Sequence, residues 1–530
     1  MRRWNGWGDD SVVYPLHDSA AHYLKSLVGP GVPVPDIPQE DFLENIPPSR
    51  LPDHPLISTE ALERLQHARG QSMPDWLAMR NGLALTCPDG VAYPENAAQV
   101  RELLAWAYQH AVCLIPYGGG TSVVGHINPL GDERPVMSVD LGRMNGLLHL
   151  DATSLMATFG AGISGPDLEA HLRAHGFTLG HYPHSFEYST LGGWIATRSS
   201  GQQSLRYGRI EKLFAGGVME TPLGKLQLPP FPASAAGPDL RELVLGSEGR
   251  LGIITEATVR LSPVPQKEDF HAVFFPTFER GMAAVRQVLA SGIPLCMLRL
   301  STANETHTTL ALAGHETLIG TLERLLAMRG LGNEKCMLLI GFSGKSELVQ
   351  AHRHAALELT GKHGGVHIGK TFGAQWHKNR FRTPYLRNTL WEMGYAIDTL
   401  ETATTWSKVP ETLTAMEAAL RGALVPYDER VHVFTHLSHL YPYGSSIYTT
   451  YVFRLAADPA ETLERWQALK VAASQAIVTQ GGTISHQHGV GVDHRAYLPA
   501  EKGPLGMNVL QGIARQFDPA GLMNPGKLLW

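Results

Sequence analysis

The chain has 530 residues, with 44 lysines and arginines against 49 aspartates and glutamates, and a formal net charge of −5. This length can bury several large cores and predicts a multi-domain protein, while the near balance of charge argues against a general nucleic-acid or anionic-membrane binder. The four cysteines show neither CxxC nor zinc-site spacing, so we expect reduced thiols in a cytoplasmic chain. No apolar run is long enough to cross a membrane, and the first residues lack the apolar region of a signal peptide.

Residues 1–80 form the first region of the chain. Proline is frequent between residues 29 and 55, which predicts an extended arm that lies over a larger body and has no core of its own. Residues 94–96 then predict the start of a helix, and a short apolar strand at 112–116 follows it directly. The apolar face of that helix comprises Val100, Leu103, Leu104 and Ala107.

A glycine-rich loop follows this strand. The loop holds three consecutive glycines, two hydroxyl residues and one more glycine, namely Gly118, Gly119, Gly120, Thr121, Ser122 and Gly125. Consecutive glycines can take positive φ angles that direct successive backbone N–H groups into one concavity, and the hydroxyl groups add donors. Such a loop suits a diphosphate, which needs many fixed donors at short range. A glycine-rich surface turn is the alternative for these residues alone.

Residues 136–259 predict an α+β domain of short apolar strands joined by turns. We expect strands at 136–141, 155–160 and 252–261. Residues 160–165 match GxGxxG, but they lack the βαβ context of a dinucleotide fingerprint. Residues 341–346 resemble a P-loop whose first glycine is too close, and they predict a turn.

Two further segments of this region are rich in small residues. Residues 183–208 combine glycines with serines, which would let the backbone approach an extended cofactor at several points. Residues 246–256 are a glycine turn that leads into a β-branched strand. Taken alone, this second segment indicates an ordinary hairpin.

From residue 267 the pattern predicts a second α+β domain. It includes a helix at 281–290, a strand at 295–300 and two strands joined by a polar turn within 429–453. A helix at 459–480 follows, and a histidine-rich segment comes soon after it. We therefore expect an N-terminal arm at 1–80, an α+β domain with the glycine loop at 81–266, a second α+β domain at 267–458 and a C-terminal segment at 459–530.

With these segments in this order, the chain resembles the FAD flavoproteins of the vanillyl-alcohol oxidase type. The resemblance implies an α+β fold, with a PCMH-type FAD-binding domain and a cap domain built on a mixed or antiparallel sheet. It also implies that the C-terminal segment returns to the flavin. The glycine loop has no histidine where some relatives attach flavin covalently, so we expect non-covalent FAD. The residues that would line FAD are Pro116, Gly118, Gly119, Gly120, Thr121, Ser122, Gly125, Pro183, Ser185, Ser189, Thr190, Gly192, Gly193, Trp194, Ser199, Gly201, Tyr207, Gly208, Glu248, Gly249, Leu251, Gly252, Ile253, Ile254 and Asn524.

Within that superfamily the chain is similar to the alkyl-dihydroxyacetone-phosphate synthases, the flavoenzymes of ether-lipid synthesis. The residues that carry this likeness lie at 4–8, 189–194, 447–448 and 485–491. The resemblance implies an exchange of an acyl for an alkyl chain through a flavin N5 adduct, without net redox change. It implies a tyrosine acid/base, a histidine-rich loop and an arginine that binds the substrate phosphate, which would be Tyr448, His486 with His488, and Arg387. The chain departs from the family at Gln487, where a third histidine is expected, and this leaves the acid/base chemistry there open.

The chemistry of these side chains sets conditions on their roles. Tyrosine has a pKa near 10, so Tyr448 needs cationic neighbours such as His486, His488 or an arginine in order to accept a proton. Without the resemblance, an aromatic side chain packed in a core is the simpler interpretation. Arg299 lies in an apolar strand, where a charge has a partner or a ligand. We expect Arg299 and Arg387 to bind substrate, because a planar guanidinium suits a phosphate or carboxylate. We also expect His436 to bind substrate as a residue of the pocket.

The alternative function is an FAD-dependent oxidoreductase, an oxidase or dehydrogenase of alcohols or D-2-hydroxy acids, on the same fold. Those dehydrogenases bind a metal through two histidines and a glutamate, and Tyr448 and Gln487 stand at two of these positions here. We therefore expect no metal, because neutral glutamine is a poor ligand for a divalent cation. An FAD-binding protein without catalysis is the third hypothesis. As partners we expect a small-molecule or lipid-like substrate, peripheral membrane contact and a second copy in a homodimer, but no nucleic acid.

Overall fold

The computed structural model describes residues 2–131, 133–314 and 316–530. The strands, numbered in chain order, are β1 (Ile57–Ser58), β2 (Gly90–Ala92), β3 (Cys113–Tyr117), β4 (Val136–Asp140), β5 (Leu147–Asp151), β6 (Met156–Gly160), β7 (Phe177–Thr178), β8 (Phe214–Thr221), β9 (Gly224–Leu228), β10 (Ile253–Arg260), β11 (Ser262–Pro263), β12 (Lys267–Phe275), β13 (Met297–Ser301), β14 (Cys336–Gly344), β15 (Val366–His367), β16 (Tyr395–Thr405), β17 (Val431–Tyr441) and β18 (Gly444–Arg454). The helices are α1 (Asp18–Val28), α2 (Gln39–Glu44), α3 (Ala61–Gln66), α4 (Met73–Asn81), α5 (Ala97–His110), α6 (Gly165–Ala174), α7 (Leu191–Thr197), α8 (Ser204–Tyr207), α9 (Ile210–Leu213), α10 (Arg241–Val244), α11 (Phe278–Ala290), α12 (Ala303–Leu312), α13 (Glu316–Ala327), α14 (Ser346–Lys362), α15 (Thr371–Asn379), α16 (Leu386–Glu392), α17 (Val409–Ala423), α18 (Pro459–Thr479) and α19 (Leu498–Phe517).

The glycine loop leaves the edge of a four-stranded sheet with the order β1-β2-β4-β3. In this sheet β2, β4 and β3 run parallel, and β1 pairs antiparallel with β2. The helix predicted before β3 is α5, which begins after Asn96, whose side chain accepts hydrogen bonds from the first turn. Its buried residues are the predicted apolar face, Val100, Leu103, Leu104 and Ala107.

A second, antiparallel sheet has the order β5-β6-β10-β8-β9. The strands predicted at 155–160 and 252–261 are β6 and β10. The hairpin interpretation of residues 246–256 is wrong, because β10 pairs with β6 and β8, and the helix α10 precedes the glycine turn. The turn instead joins a helix to a central strand of the sheet.

The third large sheet is antiparallel and has seven strands, with the order β15-β12-β14-β13-β17-β18-β16. The two strands predicted within 429–453 are the hairpin β17–β18. The turn predicted from the P-loop-like residues is wrong over 341–344, which belong to β14. Burial on both faces explains this run of apolar residues, since every β14 residue except the last is buried.

Part of the N-terminal region lies inside the largest hydrophobic cluster. Trp76 of α4 is fully buried, and its ring centroid lies 5.5 Å from that of Trp391 on α16. Met73 and Leu77 belong to the same cluster. The segment before residue 80 therefore contributes to a core and is more than an arm over the surface.

The C-terminal segment returns to the strand that precedes the glycine loop. The Leu114 N–H donates to the Leu522 carbonyl at 2.8 Å, and the Asn524 N–H donates to the Leu114 carbonyl at 2.7 Å. The helix predicted at 459–480 is α18, while α19 is interrupted at Gly503, where φ is 66°. None of the described helices is long and apolar enough to cross a membrane.

Candidate active site

A cavity of about 1270 Å³ is lined by residues from both the 81–266 and the 267–458 regions of the chain. Of the residues predicted to bind the cofactor, those that line it are Pro116, Gly118, Gly119, Gly120, Thr121, Ser122, Pro183, Ser185, Ser189, Thr190, Gly192, Gly193, Trp194, Ser199, Glu248, Gly249, Gly252, Ile254 and Asn524. The predicted substrate and catalytic residues that line the same cavity are Arg299, Arg387, His436, Tyr448 and His488. The fold thus brings together segments that are up to four hundred positions apart in sequence.

Other predicted residues do not line this cavity and lie behind its wall. They are Gly125, Gly201, Tyr207, Gly208, Leu251, Ile253 and His486. Ile253 is fully buried in the core between the two smaller sheets, and Tyr207 packs against Gly180.

The glycine loop forms a cradle of free donors. No described residue accepts a hydrogen bond from the backbone N–H of Gly118, Gly119, Gly120 or Thr121. A Cβ atom at Gly119 would collide with the Tyr188 carbonyl, so glycine is needed where the loop meets the second predicted segment. A row of unpaired N–H groups on a cavity wall fits a diphosphate.

Glu248 and Asn524 join three segments around this cradle. The Glu248 carboxylate accepts hydrogen bonds from the N–H groups of Val490 and Gly491 at 2.6 and 2.8 Å, and Glu248 Oε1 lies 3.3 Å from His126 Nε2. The Asn524 amide donates to the carbonyls of His126 and Glu248 at 3.0 and 2.7 Å. These two predicted cofactor residues therefore position the loops with their side chains.

Arg387 brings unpaired donors to the cavity. Its Nη1 donates to the Gln71 carbonyl, and its Cζ lies 4.3 Å from the ring centroid of Trp76. Its Nε and Nη2 are buried and have no hydrogen-bond partner among the described residues. Burial lowers the pKa of Arg387 to about 10, so the guanidinium is charged at neutral pH. A buried cation with two free donors fits an anionic group of a ligand.

Three further basic side chains before Arg387 also line the cavity. They are Lys378, Arg380 and Arg382. The guanidinium of Arg380 lies 4.6 Å from the ring centroid of Tyr182. This basic run is therefore part of the cavity wall rather than only a solvated helix face.

Tyr448 lies among three histidines. Its ring stacks on His436 at 5.0 Å between centroids, and it makes edge contacts with His488 at 5.9 Å and His184 at 6.1 Å. The Tyr448 hydroxyl donates to Thr399 Oγ1 at 3.1 Å. Burial raises the pKa of Tyr448 and lowers the pKa of the three histidines, that of His184 to about 3. The ligand-free site therefore holds a neutral phenol among neutral imidazoles.

This arrangement differs from the expected phenolate with cationic histidine neighbours. The positive charge of Arg299 would stabilise a Tyr448 phenolate and so lower the pKa of Tyr448. Burial raises this pKa, and the effect of burial is the larger one. His486 is also not beside the phenol, because its Nε2 bonds to the Tyr441 hydroxyl at 2.7 Å and its ring packs on His439 at 5.1 Å. The prediction that His486 assists Tyr448 directly needs this correction.

Glu305 lines the cavity and was not among the residues predicted from sequence. It is 2% exposed, and its Oε1 lies 2.9 Å from His436 Nδ1 and 2.5 Å from Arg299 Nη2. Burial alone would raise the pKa of Glu305, but His436 and Arg299 outweigh burial and lower it to about 2. Because the carboxylate accepts the Nδ1–H, we assign the neutral tautomer in which His436 Nε2 is a free acceptor. In sequence, Glu305 three positions after Thr302 indicates only a helix cap.

Glu401 is the second missed residue, and it holds the histidine-rich loop. Its carboxylate is 1% exposed and accepts hydrogen bonds from the N–H groups of His486, Gln487 and His488 at 2.9, 3.0 and 3.0 Å. Glu401 is also the register partner of Tyr448 across β16 and β18. A charge inside a largely apolar strand was the signal that could have found it, as for Arg299.

The cavity continues into an apolar branch between α12, α13, α15 and β14. Its side chains are Leu312, Leu318, Ile319, Leu322, Met337, Leu339, Ile368, Phe372 and Trp376. Leu318 is 69% exposed, so this branch reaches the protein surface. An apolar wall that reaches solvent suits a hydrocarbon chain.

The described residues contain no group of three or more histidines, cysteines, aspartates and glutamates arranged to hold a metal ion. Gln487 lines the cavity, and its buried Oε1 has no hydrogen-bond partner among these residues.

Comparisons with known proteins agree with this geometry. The family model of an FAD binding domain matches residues 88–227, and that of the C-terminal domain of FAD linked oxidases matches residues 264–528. The chain is 30% identical to alkyldihydroxyacetonephosphate synthase of Dictyostelium discoideum, over 99% of this chain and 93% of that protein. A solved structure of an alkyldihydroxyacetonephosphate synthase has a TM-score of 0.84 and 29% identity, covering 99% of this chain and 98% of that chain. The chain is also 25% identical to a probable mitochondrial D-lactate dehydrogenase of Danio rerio, over 89% of each chain.

These matches confirm the predicted α+β fold, a PCMH-type FAD-binding domain joined to an FAD-oxidase C-terminal domain. They also confirm FAD as the cofactor of an enzyme. The cradle agrees with FAD on physical grounds, because its unpaired N–H groups offer a diphosphate the donors that it needs.

Proposed function

The chain belongs to the alkyldihydroxyacetonephosphate synthase family of FAD-linked oxidases, and from this premise we propose that it exchanges the acyl chain of a dihydroxyacetone phosphate ester for an alkyl chain. The observation that carries the proposal is the composition of the cavity. It joins the glycine cradle, the phenol of Tyr448, the unpaired guanidinium of Arg387 and an apolar branch. A reaction between a phosphorylated ester and a long-chain alcohol on FAD needs all four.

Arg387 is the residue that we assign to the substrate phosphate. Its two unpaired donors would form charge-assisted hydrogen bonds, which are shorter and stronger than neutral ones. The Arg387 guanidinium packs on the Trp76 ring and donates to the Gln71 carbonyl. These contacts hold the guanidinium in place before the ligand binds. The basic side chains of Lys378, Arg380 and Arg382 would add positive potential on the same wall.

The apolar branch is the site that we assign to the acyl and alkyl chains. Its walls are aliphatic and aromatic, and each buried CH₂ group contributes about 0.8 kcal/mol to binding. Leu318 belongs both to the branch and to the exposed surface, and the nearby Leu325 and Met328, outside the cavity, are 53% and 75% exposed. We expect these side chains to make the peripheral membrane contact predicted from sequence, where long-chain substrates are available.

The proposed exchange balances without an oxidant. An ester C–O bond breaks, an ether C–O bond forms, and the acyl group leaves as a carboxylic acid while the alcohol supplies the ether oxygen. FAD, when bound, supplies a flavin ring that can take part without net change in its redox state. The chain itself binds the two substrates, orients them and moves protons.

Tyr448 and His436 are the groups that we assign to proton transfer. Tyr448 starts as a phenol, because burial raises its pKa, and it can donate a hydrogen bond to a substrate oxygen. His436 Nε2 is a free acceptor, because Glu305 holds Nδ1–H, and it can remove the proton beside a carbonyl. The stacked rings lie 5.0 Å apart, so both groups can reach one substrate molecule.

The alternative is an FAD-dependent oxidoreductase acting on an alcohol or a D-2-hydroxy acid. The relationship to a D-lactate dehydrogenase supports it. The two functions differ in the fate of the flavin under anaerobic conditions. An oxidoreductase leaves its flavin reduced when substrate is added without an acceptor, whereas the exchange leaves it oxidised.

The test is an anaerobic spectrum of the FAD-loaded protein, recorded first with an acylated dihydroxyacetone phosphate and then with D-lactate. We expect no lasting bleaching with either compound, and release of carboxylic acid when a long-chain alcohol is added to the first. Lasting bleaching by D-lactate, without ether formation from the ester, would support the oxidoreductase.

Two further predictions concern the setting of the protein. None of the four cysteines, all of which the structure describes, is in a disulfide, which fits the reducing conditions of the cytoplasm, where we place the chain. The homodimer expected from sequence stays a prediction, which light scattering of the purified protein would test directly.

A further inference from the structure

The first residues of the chain fold back onto the glycine loop. Residues 2–9 form a tight turn in which Arg2 and Asp9 make a β-bridge. The Arg3 N–H donates to the Gly8 carbonyl at 2.8 Å, which closes the turn. We call this turn the strap.

The strap is anchored to the segments that hold Arg387. Trp7 is 7% exposed, its N–H donates to Asn388 Oδ1 at 3.1 Å, and the Asn388 amide donates back to its carbonyl at 2.9 Å. The Gln71 amide donates to the Gly6 carbonyl at 3.2 Å, while the Gln71 carbonyl accepts from Arg387. These hydrogen bonds fix the position of the strap relative to Gln71 and to the helix that carries Arg387 and Asn388.

Arg2 extends from this strap to the cradle. Its Nη2 donates to the Gly119 carbonyl, and its Cζ lies 5.4 Å from the ring centroid of Tyr188. The C=O and N–H groups of one trans peptide unit point in opposite directions. A hydrogen bond that fixes the Gly119 carbonyl therefore also fixes the Gly120 N–H, directed away from Arg2.

The glycine loop benefits from such an external anchor. Gly120 has a φ of 64°, and glycines move readily between conformations because they lack a Cβ. The Gly120 N–H has no acceptor among the described residues. Ordering this donor before FAD arrives lowers the entropy that FAD binding must otherwise overcome.

We propose that Arg2 is a cofactor-positioning residue, which holds the Gly119–Gly120 peptide ready for the FAD diphosphate and adds positive charge beside it. This inference rests on FAD as the cofactor and is independent of the acyl-to-alkyl exchange. The strap would thereby help to retain the cofactor, a role that the composition and net charge of the chain do not indicate.

The test measures ligand binding to apoprotein prepared from the wild type, Arg2→Ala and Arg3→Ala. Arg3→Ala is the matched control, because it removes the same charge from the same strap, where the Arg3 side chain forms an ion pair with Asp10 at 3.7 Å and does not contact the glycine loop in the described part of the chain. FAD is titrated by quenching of its fluorescence. ADP and adenosine compete as probes with and without the diphosphate.

We expect Arg2→Ala to raise the Kd of FAD and of ADP about tenfold, as for loss of a charged hydrogen bond. Adenosine affinity and the melting temperature of the apoprotein should not change, and Arg3→Ala should resemble the wild type. Arg2→Lys, which keeps the charge, should fall between the wild type and Arg2→Ala.

Two results would overturn the inference. One is equal FAD affinity in Arg2→Ala and Arg3→Ala. The other is an equal loss of affinity for adenosine, which would show general loosening of the site. A wild-type protein that binds neither FAD nor ADP would instead contradict the assignment of the cofactor, and so the two failures are distinguishable.

Discussion

Replacing Arg387 by methionine is the substitution that most sharply separates stability from function. Methionine has a similar length and keeps the apolar contact with Trp76, but it removes the charge and the donors. We expect the substrate-free protein to become more stable, and its affinity for a phosphorylated ligand to fall. Few mechanisms give both effects, because most substitutions of buried residues destabilise.

The magnitude of the stability gain follows from the pKa of Arg387. Burial lowers this pKa from the ordinary value of an arginine to about 10, and one pKa unit corresponds to about 1.4 kcal/mol, so the buried charge costs up to roughly 3 kcal/mol at neutral pH. The penalty applies wherever both folded and unfolded states carry the charge, and it disappears above the unfolded pKa. Loss of the Gln71 hydrogen bond and of the cation–π interaction with Trp76 costs about 1 kcal/mol each, although the apolar contact with Trp76 is kept. The expected net gain is about 1 kcal/mol.

The loss of binding should be larger than this gain. Removing one partner of a buried, hydrogen-bonded charge pair costs about 2–5 kcal/mol, which corresponds to a Kd at least about thirtyfold higher. Urea denaturation of the FAD-loaded protein measures the stability, and calorimetric titration with glycerol 3-phosphate measures the binding. Arg382→Met is the matched control, because Arg382 lines the same cavity but is exposed.

A specific pair of results would refute this reasoning. If Arg387→Met destabilises the protein while binding glycerol 3-phosphate as tightly as the wild type, Arg387 is a structural cation with a partner and not an anion-binding group. If Arg382→Met loses as much affinity as Arg387→Met, binding depends on general positive potential rather than on the buried donors.

Three other substitutions test the rest of the site. Tyr448→Phe should lower kcat by at least about a hundredfold with unchanged FAD content, because it removes the hydroxyl that donates to the substrate; full turnover would remove Tyr448 from the mechanism. Glu401→Gln should destabilise the protein by about 2–3 kcal/mol and lower kcat, because a buried acceptor of three N–H groups is replaced by an amide; an unchanged urea midpoint would contradict this. Burial raises the pKa of Asp493 to about 7 from 3.8, so its stability contribution is full below pH 3.8 and is lost as the pH rises through 7. The stability advantage of Asp493→Asn over the wild type should therefore grow by roughly 2–3 kcal/mol between pH 5 and pH 8, and an equal difference at both values would show that this carboxyl does not titrate there.

Local patterns predicted several elements of the fold and the position of the glycine loop after a strand. The helix α5 could be predicted because its cap and its apolar face are both local signals. The glycine loop could be predicted because consecutive glycines before hydroxyl residues leave few structural alternatives. Where the sequence context was ambiguous, as at residues 246–256, the partner strands came from distant parts of the chain and the hairpin prediction was wrong.

The electrostatics of the site could not be predicted from sequence. The neutral state of Tyr448 depends on burial by strands and loops that are remote in sequence, and burial decides the pKa of each neighbouring histidine. Glu305 was hidden because its spacing from Thr302 indicates a helix cap, although its carboxylate turns inward to His436. The protonation state of Tyr448 and the contact of Glu305 with His436 thus depend on strand pairing and side-chain direction, which residue type alone does not determine.

The most direct test of the proposed exchange is the product ratio of one anaerobic reaction. The FAD-loaded protein is incubated with an acylated dihydroxyacetone phosphate and a long-chain alcohol, and mass spectrometry counts ether and released carboxylic acid. The account predicts equal amounts of both, with the flavin oxidised before and after the reaction. Carboxylic acid without ether, or product formation only when an electron acceptor is present, would contradict it.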